Sequence, residues 1–145
     1  MLNKTCVLTS IVAALFMAVS LKFLHFFMFI NWSPFGWSSN WGVFTTEYII
    51  QTIVNWLLLI VALSVLFAIV YIGFSFLYKI PPTISALIIG LLFVLVTEWL
   101  IHEPISLNKA IESMSIPLLA ISAIVFRFIA GTAVFMKGIL NENIK

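Results

Sequence analysis

Aspartate is absent from this sequence, and charged residues of every kind make up only 8% of it. Soluble domains carry about 25% charged residues, because their surfaces must face water. With 63% apolar residues the chain has too little polar surface to cover a water-soluble globule. Cysteine occurs once, at Cys6, which excludes an intrachain disulfide and any cysteine-based metal cluster. Basic residues are few and scattered, for a formal net charge of +2. Nucleic-acid binding needs a clustered basic face, so no nucleic-acid partner is expected. The signatures of catalysis are missing too. There is no G-x-S-x-G, P-loop or H-E-x-x-H element. His25 and His102 lack metal-ligand spacing, and His102-Glu103 reads as a solvated helix end. The expectation is a non-enzyme with no catalytic, cofactor-binding or metal-binding residues and no cofactor.

What the chain does have is long apolar runs. Four stand out, at about 6–30, 48–77, 83–101 and 116–139. Each approaches or exceeds the ~20 residues a membrane-spanning helix needs. The second has about ten residues to spare, so it must tilt or project beyond the hydrocarbon. Pro81-Pro82 and Pro117 fall where helices begin, and proline fits a first turn because its missing N–H would be unpaired there anyway. The predicted fold is all-α: an integral membrane protein in which residues 1–145 form one bundle of four transmembrane helices, with the lipid bilayer as its first partner. Met1–Lys4 and Ala18-Val19-Ser20 resemble parts of a signal peptide. The apolar run continues through Ile30, however, so the first segment is expected to be retained.

Four spans put Lys4, Lys79, Lys137 and Lys145 on one side of the membrane and Lys109 on the other. The positive-inside rule then places both termini in the cytoplasm of a cytoplasmic (inner) membrane, multi-pass protein. The first outer loop, 31–47, contains Trp32, Trp37 and Trp41 with Phe35 and Phe44. Tryptophan favours the membrane–water boundary. The loop reads as an aromatic belt or as a cap over the bundle. In the second outer loop, 108–115 reads as a short surface helix.

Polar residues at membrane depth form a candidate layer of Lys22, His25, Gln51, Asn55, Glu98 and Arg127. At 1.5 Å per residue they fall within roughly 12 Å of depth, all in the outer half. Arg127 costs about 2.5–3.5 kcal/mol at that depth and cannot lose its proton. Its neighbours at helical spacing are Ala120, Ala123, Ala130 and Gly131. Small residues admit neighbouring helices, so Arg127 is expected to point into the bundle and to snorkel outward toward Glu98. Lys22 matches Glu98 better in depth. The layer reads as a polar knot that sets helix register, as an outward-facing cavity, or as side chains that snorkel independently.

The chain also resembles a family. Ser33-Pro34, Trp37 and Trp41 follow the first helix, and Tyr71 and Tyr78 close the second before a lysine turn. A proline-led third helix carries Gly90 and ends at Trp99 and Pro104. This order is similar to that of the YqhR-type small conserved membrane proteins of Bacillus and its relatives. It departs from them at Pro81-Pro82, at His102-Glu103-Pro104 and at Arg127. The resemblance implies a four-helix cytoplasmic-membrane protein without an assigned activity, and it transfers no site residue.

The function expected from the sequence is a small membrane partner or accessory subunit, acting with another membrane protein or with itself. The alternative is a small transporter or channel-like protein with an outward-facing polar cavity. The topology is directly testable. A reporter active only in the cytoplasm should be on when fused after Lys145 and off when inserted at Ser38. The reverse pattern would invert the orientation.

Overall fold

The computed structural model describes residues 4–34, 48–102, 107–112 and 114–142. Five helices occur there in the order α1 (Lys4–Phe26), α2 (Tyr48–Phe76), α3 (Pro82–His102), α4 (Leu107–Glu112) and α5 (Ile116–Glu142). No strand is present among the described residues. Helices α1, α2, α3 and α5 are each long and apolar enough to cross a membrane. The chain is therefore a four-helix membrane bundle with one short extra helix, α4, in the connection where a surface helix was expected. Large apolar side chains such as Phe16, Ile53, Ile69 and Leu87 point outward on these helices. Water would penalise their exposure and lipid does not, so the exposed faces and the buried core are both apolar.

The helix ends follow from local chemistry. The Pro81 carbonyl accepts from Ser85 N at 3.3 Å and from Ile84 N at 3.0 Å, while Pro82 occupies the first helical position of α3. The Ser115 carbonyl accepts from Leu119 N at 3.0 Å and opens α5, with Pro117 in its first turn. Helix α1 stops at Phe26 rather than running to Ile30 as expected. Phe29 N donates to Leu24 O at 2.9 Å and Met28 N to His25 O at 3.1 Å. This is a Schellman cap, with Met28 in the left-handed region at φ 58°. Glycine usually takes that position, because a side chain there costs about 1–2 kcal/mol. The apolar run through Phe26–Ile30 contains no glycine or proline, so the cap leaves no mark in the sequence.

Helix α5 is the hub. It packs against α1, α2 and α3, and α1 also packs on α2. Helices α2 and α3 are joined by the short turn at 77–81, yet they make no extended contact with one another. Phe126 of α5, 1% exposed, bridges them. Its ring meets Phe67 of α2 edge-on at 5.6 Å and Phe93 of α3 at 5.4 Å. Gly90 brings α3 close to α5. A Cβ on Gly90 would lie 3.4 Å from the backbone of Ala123, so larger side chains have no room. Lipid is as apolar as these side chains, and association therefore rests on dispersion between closely fitted surfaces.

Phe126→Ala should destabilise the bundle by about 3 kcal/mol, the low end for a buried phenylalanine because lipid replaces the lost contacts. Gly90→Leu should loosen α3 while Gly90→Ala stays near wild type. Thermal unfolding in detergent micelles checks all three. A wild-type transition for Gly90→Leu would show that α3 and α5 do not meet closely at Gly90.

Candidate functional site

The six residues of the predicted polar layer differ in exposure. Glu98 is buried in the bundle at 2% exposure. His25, Gln51 and Asn55 are half-buried, and Lys22 is exposed. Lys22, Asn55 and Glu98 each engage a neighbour. The layer therefore divides into an inner set around the bundle and cations on its surface.

Arg127 corrects the expectation most clearly, because its side chain is exposed on the outside of α5. The buried face of α5 runs through Leu118, Ser122, Val125, Phe126, Ile129, Ala130 and Ala133. Large side chains decide that face, because each gains many more dispersion contacts than an alanine. Ala130 is buried and Ala123 half-buried, while Ala120 is left outside with Arg127. The small residues are thus split between two faces. The guanidinium folds along its own helix. A Cβ on Gly131 would sit 3.1 Å from Arg127 Nη1, so the glycine makes room for it. This direction leads toward the end of the bundle that holds Lys137, opposite to the expected reach toward Glu98. Among the described residues Arg127 forms no ion pair or hydrogen bond.

The buried polar atoms that lack a hydrogen bond lie toward the end of the bundle remote from Lys4 and Lys137. His25 Nδ1, Trp32 Nε1, Glu98 Oε2, Ser115 Oγ and Ser122 Oγ are buried there without a hydrogen bond. Several other helix hydroxyls are satisfied locally. Ser10 Oγ donates to Cys6 O at 2.8 Å, Ser64 Oγ to Ile60 O at 2.7 Å and Thr97 Oγ1 to Phe93 O at 2.7 Å. Such bonds to the preceding turn account for hydroxyls inside apolar helices without any ligand. Ser115 and Ser122 were not singled out by the sequence, where a serine near a helix start has no distinctive spacing. Trp32 is half-buried and packs on the core. Trp37 and Trp41, with Phe35 and Phe44, lie outside the described residues.

Three of the cavities among the described residues are open to the surface. The first, about 570 Å³, is a lateral groove between α2 and α3, with Leu63, Leu66, Leu92 and Val96 on its walls and Phe126 and Trp32 among its lining. The second, about 260 Å³, is an apolar cleft between α1 and α5. The third, about 770 Å³, lies between the ends of α1, α2 and α5 and includes Lys4 and Lys137. None of the three is lined by Lys22, His25, Gln51, Asn55, Glu98 or Arg127. Among the described residues no group of three or more His, Cys, Asp or Glu side chains could hold a metal ion. Comparison with family models, with curated proteins and with solved structures gives no match. The architecture defines a class, a small polytopic membrane protein, and nothing narrower.

Ser122 is fully buried at 0% exposure, and an unsatisfied hydroxyl costs about 1–3 kcal/mol. Ser122→Ala should therefore stabilise the bundle by about 1 kcal/mol, read as a raised Tm in micelles. A lowered Tm would show that the hydroxyl is engaged.

Proposed function

We propose that this protein is a non-catalytic partner subunit of another protein in the cytoplasmic membrane, with both termini in the cytoplasm. The exposed mid-membrane Arg127 carries this reading. It lies eleven residues into α5, about 16 Å along a helix that extends about 40 Å. Its exposed neighbours Ile124 and Phe128 make the surrounding face apolar. A cation facing lipid at such depth costs about 2.5–3.5 kcal/mol. A carboxylate on a partner's membrane helix would offset that cost and set the register of docking.

A second copy of this chain fits less well. Glu98 is the one acid within the apolar length of its spanning segments, and it is buried inside its own bundle. The partner is accordingly a different membrane protein with an intramembrane acid. A transport path through Lys22, Glu98 and Arg127 gains no support from the three cavities, which these residues do not line.

Purification of the tagged full chain from its native membrane in mild detergent tests the proposal. Wild type should bring down one membrane protein in fixed stoichiometry. Arg127→Leu should lose that protein while keeping or raising its own Tm, since it removes an uncompensated charge. Retention of the partner by Arg127→Leu would sink the proposal. So would solute or proton flux from liposomes containing this protein alone, which would favour the transporter reading.

A further inference from the structure

The pocket of about 770 Å³ at the end of the bundle lies between the start of α1 and the ends of α2 and α5. Lys4 and Lys137, far apart in sequence, converge on it from α1 and α5. Tyr71 of α2 also lines it and is buried, while Ile72, Phe76 and Leu140 supply apolar wall. Among the described residues no acid belongs to the lining. Glu142 lies further along α5 and is exposed. The position is at a helix end, where spanning segments emerge into the headgroup layer. Lys137 is half-buried and Lys4 exposed, so the lysine stems can run along apolar surface while their ammonium groups remain at the interface.

We infer that this pocket binds an anionic phospholipid, its phosphate between Lys4 and Lys137 and the upper part of an acyl chain against Ile72, Phe76 and Leu140. Two observations select lipid over a free phosphate ion. The volume is far larger than a lone phosphate needs, and most of the lining is apolar. Basic pockets between membrane helices at the headgroup level match lipid headgroups by charge. The site is separate from Arg127, which lies on the outward face of α5, and it does not depend on the subunit reading.

The test uses the full chain in maltoside micelles, titrated with dioctanoyl phosphatidylglycerol, dioctanoyl phosphatidylcholine or inorganic phosphate. The measurement is Tm, because a ligand that binds only the folded state raises it with concentration. Phosphatidylglycerol should raise Tm at much lower concentration than phosphatidylcholine, and phosphate should have no effect. Removal of each lysine should weaken phosphatidylglycerol binding about fivefold, so Lys4→Gln/Lys137→Gln weakens it about 25-fold. Lys109→Gln, on the short helix α4, should titrate like wild type. Equal shifts with both lipids, or a double variant that titrates like wild type, would overturn the inference. A full shift with phosphate alone would assign the pocket to a free anion and overturn it as well. Should the double variant fail to fold, a photoactivatable phosphatidylglycerol with its label at the headgroup decides on wild type. Adducts near Lys4 and within 133–140 support the site, and adducts only elsewhere overturn it.

Discussion

The packing of Phe126 between Phe67 and Phe93 is the contact on which the rest of the bundle depends. Helices α2 and α3 are consecutive and closely joined, yet they are held through α5 rather than through one another. In water, hydrophobic burial would draw them together. In lipid that drive is missing, and only close fit distinguishes a neighbouring helix from an acyl chain. The edge-on aromatic contacts supply such fit to α2 and α3, and Gly90 opposite Ala123 adds to it for α3. A lateral groove remains between α2 and α3.

The same physics separates polar groups by position. Several hydroxyls within the helices, those of Ser10, Ser64, Ser75, Thr97 and Thr132, bond to the preceding turn and need no other partner. Buried polar atoms without such bonds gather at one end, around Glu98, His25 and Ser122. The long cations lie on the surface, where Arg127 lies alongside Gly131. At the opposite end Lys4 and Lys137 frame an amphipathic pocket. The molecule thus offers two different electrostatic features to its surroundings. One is Arg127, exposed within the apolar length of α5, and the other is Lys4 with Lys137 at one end of the bundle.

Composition and run length determined that this chain is a helical membrane protein. Four apolar stretches of sufficient length leave no other way to satisfy the backbone in lipid. The prolines at Pro81-Pro82 and Pro117 marked helix starts for a local reason that needs no fold. The end of α1 was not legible, because its cap uses Met28 in a left-handed conformation where a glycine would have been the visible signal. The short helix α4 was legible in outline.

Which way each polar side chain points was decided by tertiary structure. The sequence placed Lys22, His25, Gln51, Asn55, Glu98 and Arg127 at similar depths, since depth follows from counting residues along a helix. Direction depends on which face of each helix finds the better fit. On α5 the face around Phe126 prevailed, taking Ala130 and Ala133 with it, and Arg127 was left outward with Ala120. The sequence put Lys4 and Lys137 on one side of the membrane, but their convergence on one pocket depended on α1 and α5 packing as neighbours.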